Sequence, residues 1–156
     1  MSFQEALKKS AEILKQGGVI LYPTDTVWGI GCDAKNKAAV EKVFALKKRA
    51  DTKSMLCLVA NVAMLERHIA QVPEAAYDII DLSEKPTTII FDQPIGVAKN
   101  LIGPDNSLGI RVAKDKFCSY LSQNIKGPLV STSANLAGQW AGFTPCPTSR
   151  STTRHA

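Results

Sequence analysis

The sequence predicts an α/β layered fold, and three features point to it. Segments with helical apolar spacing alternate with short apolar runs of strand length. One of those runs, Met55 to Ala60, is almost continuously apolar, as a strand buried on both faces requires. Caps and Gly or Pro breaks separate the segments, so helices and buried strands follow one another as packed layers. At 156 residues the chain is one ordinary domain, long enough to bury a real core.

The elements follow in order. Ser2 and Glu5 form an S-x-x-E capping box ahead of Phe3, Leu7, Ala11 and Leu14 at helical spacing, and Gly17-Gly18 ends that helix. Val19 to Tyr22 reads as a short strand stopped by Pro23. Asn36 caps a second helix with a Val40, Val43, Phe44 stripe, expected to end near Arg49. After the Met55–Ala60 strand, Asn61 opens a short helix, and Pro73 suits the first position of another that runs to Leu82. Thr87 to Phe91 and Leu108 to Val112 read as strands. Asp115 caps a helix carrying Phe117, Leu121 and Ile125, Gly127-Pro128 ends it, and Leu129 to Thr132 is the last strand. From Gln139 onward the chain is rich in Ser, Thr, Pro and Arg, without apolar period, and is expected to be an irregular tail.

Composition narrows the function classes. The chain is 45% hydrophobic and 21% charged, as globular proteins are. No apolar run approaches the ~20 residues that span a bilayer. Met1 to Gln16 alternates charged and apolar residues and lacks a secretory apolar core, so a cytoplasmic location and no membrane partner are expected. Cys32, Cys57, Cys118 and Cys146 are far apart with no C-x-x-C pair, which is neither a disulfide framework nor a zinc spacing. With two histidines, a His-rich metal site is not expected. A Ser-His-Asp triad would have to recruit His68 or His155, and His68 reads as a surface or core-edge residue. The net charge of +5 resides in one segment, Lys35 to Lys53, with seven basic and two acidic residues. Such a cluster fits an anionic small ligand or a nucleic-acid patch.

Four local features carry candidate chemistry. In Tyr22-Pro23-Thr24-Asp25-Thr26-Val27-Trp28-Gly29-Ile30-Gly31, hydroxyls and a carboxylate crowd the end of a strand. They can fold back on the turn's own backbone or face a ligand. Lys47-Lys48-Arg49 with Lys53 can converge on an anion, or can simply cap a helix C-terminus. Ser131-Thr132-Ser133-Ala134-Asn135 follows a strand and can bind a ligand or cap the next turn. Arg111, inside the strand Leu108–Val112, needs a carboxylate or a bound anion as partner. No Walker motif is present.

In this order, YPTDTVWGIG, KKR-ADTK, KPTTII, LGIRV and STSAN, the chain resembles the YrdC-like threonylcarbamoyl-AMP synthase family over roughly residues 3 to 138. The resemblance implies a YrdC/RibB-like mixed twisted sheet flanked by helices, with an open basic cavity and shortened C-terminal elements, in a 1–138 domain followed by a 139–156 tail. It implies an L-threonylcarbamoyladenylate synthase that joins L-threonine, bicarbonate and ATP and releases pyrophosphate, for threonylcarbamoyladenosine in transfer RNA. Lys47 and Arg49 would carry catalysis. Lys47, Arg49, Lys53, Ser133 and Asn135 would bind ATP, Thr24 and Arg111 would bind threonine, and Mg2+ would travel on the phosphates. Transfer RNA or a downstream transferase would be the partner.

Departures from the family pattern are few within the domain. Trp28 replaces a tyrosine, Ala50 replaces a proline, and the usual W-P-G-P-x-T entry is reduced to Glu84-Lys85-Pro86-Thr87-Thr88. After Gly138 the family continues with another helix and further strands, where this chain has 18 residues. An RNA-binding module, or a family member with another substrate or none, is the alternative. The scarcity of aromatics, 6%, speaks against an RNA stacking platform.

Overall fold

A six-stranded mixed sheet organises the chain, in the order β1-β2-β6-β3-β5-β4. The computed structural model describes residues 2–24, 28–47 and 55–133. The strands are β1 (Ile20–Pro23), β2 (Trp28–Gly31), β3 (Leu56–Val59), β4 (Ile89–Asp92), β5 (Ser107–Val112) and β6 (Leu129–Ser133). The α-helices are α1 (Phe3–Lys15), α2 (Lys37–Lys47), α3 (Val62–His68), α4 (Glu74–Leu82) and α5 (Lys116–Ile125). β3 lies between β6, which runs antiparallel to it, and β5, which runs parallel.

Helices cover both faces, and this is why β3 reads as a continuous apolar run. Cys57 and Val59 enter a core with Val40 and Val43 of α2 and Met64 and Leu65 of α3. Leu58 points the other way, into a core with Leu7, Ala11 and Leu14 of α1 and Leu121 and Ile125 of α5. Burial pushes the Cys32 thiol up to about 12 and raises Cys57 further, so both act as small hydrophobes and not as nucleophiles.

The caps form as read. Ser2 Oγ accepts from the Glu5 N–H at 3.1 Å while Glu5 Oε1 accepts from the Ser2 N–H at 3.1 Å. Asn36, Asn61 and Asp115 each accept from the N–H three residues on. Gly17, with φ +84°, takes the left-handed turn that closes α1. Two expectations shift. Pro73 precedes the first turn of α4 as its N-cap, with ψ 146°, because the helix starts at Glu74. The fourth strand begins at Ile89, two residues later than the expected Thr87, since Thr87 bonds locally to Ser83 Oγ and the Lys85 carbonyl.

β2 is a strand where the sequence reads as a ligand loop. It pairs with β1 from Ile20–Gly31 to Pro23–Trp28 and with β6 at Gly29–Ser133 and Ile30–Thr132. Two glycines in four residues hide it from strand propensity.

The basic run is put to a use the sequence left open. Lys35 Nζ donates to the Ile125 and Lys126 carbonyls, at 2.8 and 3.1 Å, at the end of α5. Lys42 Nζ donates to the Gly17 carbonyl at 3.0 Å, just past α1. These cations cap helix C-termini, where carbonyls lack intrahelical partners and the dipole is negative.

His68 is buried at the end of α3, 9% exposed, with Nδ1 3.0 Å from the Ile95 carbonyl. A carbonyl only accepts, so Nδ1 carries the proton. Burial holds the imidazole below its ordinary 6.5, with the Ile95 bond pulling the other way. The folded state therefore binds a proton less readily than the unfolded chain. Its stability is full above 6.5 and falls as pH drops below that value. Urea midpoints are expected to decline between about pH 7.5 and about pH 5.5, and His68→Gln to flatten that decline. An unchanged slope in the variant assigns the pH dependence to other groups.

Candidate active site

One sheet face holds the polar positions. Strand register places Tyr22 opposite Gly29, Gly29 opposite Ser133, Ser131 opposite Leu56, and Leu58 beside both Leu129 and Arg111. Residues paired across strands share a face, so Tyr22, Ser131, Ser133, Leu56, Leu58 and Arg111 lie on one side of the sheet. This is the side on which α1 and α5 cover Ile20, Leu58 and Leu129.

Gly29 and Gly31 make room there. A Cβ on Gly29 would lie 3.2 Å from Thr24 Cγ2 and 3.4 Å from Ser131 Oγ. Thr24, just past the end of β1, and Ser131 on β6 thus flank the same bare backbone. Gly31 has a different neighbour: a Cβ there would lie 2.1 Å from the Val130 carbonyl, 2.7 Å from Tyr22 Cε1 and 2.9 Å from Tyr22 Oη. The Tyr22 ring therefore lies flat across β2, 1% exposed, and its hydroxyl donates to the Val130 carbonyl at 3.0 Å. Burial raises its ionisation well above 10, with Ser131 and Arg111 opposing, so Tyr22 stays a neutral phenol.

Lys47, the last residue of α2, is 2% exposed, and its Nζ donates to the Ser133 carbonyl at 2.7 Å. The helix carrying the basic cluster is thereby fastened to the end of β6, where the hydroxyl-rich segment begins. Arg111, 8% exposed, lies on β5 on the face of Tyr22 and Ser131. Near it a cavity of about 520 Å³ is walled by Leu56, Thr88, Ile90 and Gly109.

Of the site residues read from the sequence, Lys47 reaches the Ser133 carbonyl from α2, Thr24 lies beside Gly29, which pairs with Ser133, and Arg111 shares a sheet face with the Ser133 side chain. Arg49, Lys53 and Asn135 lie outside the described residues, as does the 139–156 tail. Tyr22 was not read as a site residue, and Ser131 was read only as one hydroxyl of a candidate ligand segment. The available signal was glycine at two alternate positions, Gly29 and Gly31, facing a tyrosine in the strand before: a bare strand face lets a large neighbour cross it.

A profile of the Sua5/YciO/YrdC family, described as telomere recombination, matches residues 12–152. The chain belongs to the Sua5/YciO/YrdC family. It is 35% identical over 142 residues to a protein named threonylcarbamoyl-AMP synthase from Pseudoalteromonas translucida (strain TAC 125), covering 89% of this chain and 76% of that one. A protein of the same name from Methylococcus capsulatus is 36% identical over 141 residues, with 89% and 75% covered. In fold, the chain is similar to P. abyssi Sua5 solved in complex with L-threonine, with TM-score 0.81 and 22% identity over 89% of this chain and 41% of that one. It is similar to E. coli YciO as well, with TM-score 0.76 and 25% identity over 87% of this chain and 66% of that one. The Sua5/YciO/YrdC chain described here thus spans about three quarters of these named synthases and less than half of the P. abyssi protein. No described helix is long and apolar enough to cross a membrane.

Proposed function

We propose that this chain is a threonylcarbamoyl-AMP synthase, which condenses L-threonine, bicarbonate and ATP into L-threonylcarbamoyl-AMP and releases pyrophosphate. Its product would serve threonylcarbamoyladenosine formation in transfer RNA through a separate transferase. Kinship supports the reading, and so does one contact: the Lys47 Nζ–Ser133 carbonyl bond, which joins the basic cluster to the hydroxyl-rich segment. Two separate stretches of sequence that would handle one triphosphate thereby meet at one place.

The chemistry asks for positioning and charge neutralisation and for no covalent intermediate. Threonine's amine and bicarbonate give a carbamate with loss of water, and the carbamate oxygen attacks the α-phosphorus while the bond to pyrophosphate breaks. Negative charge accumulates on the leaving group. Lys47 and Arg49 are assigned to stabilise it, with Lys53, Ser133 and Asn135 on the nucleotide. Thr24 and Arg111 are assigned to the amino acid. Among the described residues no three His, Cys, Asp or Glu side chains converge. A magnesium ion, in this reading, arrives on the phosphates and is held by them and by water.

The RNA-binding reading loses ground on a specific point. Lys35 and Lys42 hold backbone carbonyls at helix ends, so part of the basic run is committed to the fold. The deciding experiment is pyrophosphate release by the purified chain with ATP and bicarbonate, with and without L-threonine. Threonine-dependent release that fails with serine or alanine is expected. ATP binding without release would mark another substrate or none, and absence of ATP binding would end the reading.

A further inference from the structure

The turn from α4 into β4, Glu84-Lys85-Pro86-Thr87-Thr88, is held by bonds to residues outside it. Thr87 Oγ1 gives its proton to the Lys85 carbonyl at 2.9 Å, so in its 2.8 Å bond with Ser83 the Ser83 hydroxyl is the donor. Ser83 is the C-cap of α4, and its carbonyl accepts from Lys114 Nζ. Lys114 stands two residues past the end of β5 and immediately before Asp115, the N-cap of α5. One lysine and two hydroxyls thus clasp the turn to the end of the strand that carries Arg111. Glu84 and Lys85 are exposed, so packing does little to fix the turn and these bonds set its geometry.

The clasped turn delivers Thr88 onto the face of Arg111. A Cβ built on Gly109 would lie 3.2 Å from Thr88 Cγ2, so the Thr88 methyl rests over the bare backbone of Gly109. Gly109 is two residues before Arg111 on β5 and therefore shares its face. One step beyond the Ile89–Ile110 pair of the β4–β5 register, Thr88 comes level with Arg111. Thr88 and Gly109 line the cavity of about 520 Å³ together with Leu56 and Ile90. We infer that Lys114 is a positioning residue: through Ser83 and Thr87 it sets where Thr88 stands beside Arg111, and with it the cavity wall on the side that receives the amino acid. Lys114 acts from outside the cavity, by holding a backbone carbonyl. This assignment rests on the proposed synthase reaction, with threonine at Arg111.

The test uses the full chain and two readouts. Amide hydrogen exchange across residues 84–90 is expected to quicken several-fold in Lys114→Met and to keep the wild-type rate in Lys116→Met, which removes an exposed lysine outside the clasp. In steady-state pyrophosphate release, Lys114→Met and Thr87→Val are each expected to raise KM for threonine about fivefold, the scale of one hydrogen bond, with kcat and KM for ATP within about twofold. Because both act through one turn, the double variant should fall short of the product of the two effects. Lys114→Arg, whose fork still reaches a carbonyl, is expected to stay within about twofold of wild type. Unchanged exchange in Lys114→Met would overturn the assignment. So would a matching rise in KM for ATP, or an equal KM shift in Lys116→Met, which would be an effect of charge alone. Quickened exchange in Lys114→Met, beside a wild type that does not respond to threonine, would instead mark failure of the synthase reading and take the positioning role with it.

Discussion

Lys47→Met is expected to lower threonine-dependent pyrophosphate release by about a hundredfold or more while moving the unfolding midpoint little. The two effects separate for a physical reason. Lys47 is 2% exposed, and a buried ammonium carries a desolvation penalty that a methionine of similar length does not. Removing the lysine leaves the Ser133 carbonyl without that donor, a cost of about 1–3 kcal/mol, but also removes the penalty. The two largely cancel in stability. They do not cancel in the reaction, where a preorganised cation beside a leaving phosphate contributes about 3 kcal/mol or more. Lys47→Arg is the informative companion: the charge survives, but a planar fork replaces a compact ammonium. Activity equal to wild type in Lys47→Met, measured with saturating ATP and threonine, would make Lys47 a purely structural tie between α2 and β6.

The lysine run shows where sequence reading stops. Seven basic residues in Lys35–Lys53 were legible as a cluster for an anionic ligand or a nucleic acid, and for Lys47-Lys48-Arg49 with Lys53 anion binding and helix capping were equally open. Position along the chain cannot choose between them, because the carbonyl partners lie far off in sequence: Lys35 with Ile125, Lys42 with Gly17, Lys47 with Ser133. The helices and five of the six strands were legible because caps and apolar periods are local. β2 was not, since its stability comes from neighbours on both sides and from the absence of side chains at Gly29 and Gly31. The candidate residues Thr24, Lys47, Arg111 and Ser133 were legible as motif residues, but the bond from Lys47 to the Ser133 carbonyl was not. The bond from Tyr22 to the Val130 carbonyl required knowing that β1 and β6 flank β2.

That same crowding makes Gly31→Ala the most damaging small substitution expected in the described fold. The added methyl would sit 2.1 Å from the Val130 carbonyl, which is backbone and cannot rotate away. It would meet the Tyr22 ring at 2.7 Å and its hydroxyl at 2.9 Å, and Tyr22 is packed at 1% exposure. Relief requires β2 to move away from β6 and Tyr22 to leave its bond to Val130. Overpacking of this kind costs about 3 kcal/mol, and the broken buried hydrogen bond adds about 1 kcal/mol or more. A loss near 4 kcal/mol corresponds to a drop of roughly 10 °C in Tm for a chain of this size. Gly29→Ala makes the contrast, because its nearest contact, 3.2 Å, is to a Thr24 side-chain methyl, while Ser131 Oγ and the Thr132 carbonyl both stand at 3.4 Å, an ordinary contact distance. The Thr24 side chain can yield, so Gly29→Ala should keep most of the stability and lose activity by displacing Thr24. Thermal melts and pyrophosphate release on the two variants separate these outcomes. Equal melting temperatures in both would mean that β2 and β6 tolerate a side chain between them, and that Tyr22 is not pinned across the strand.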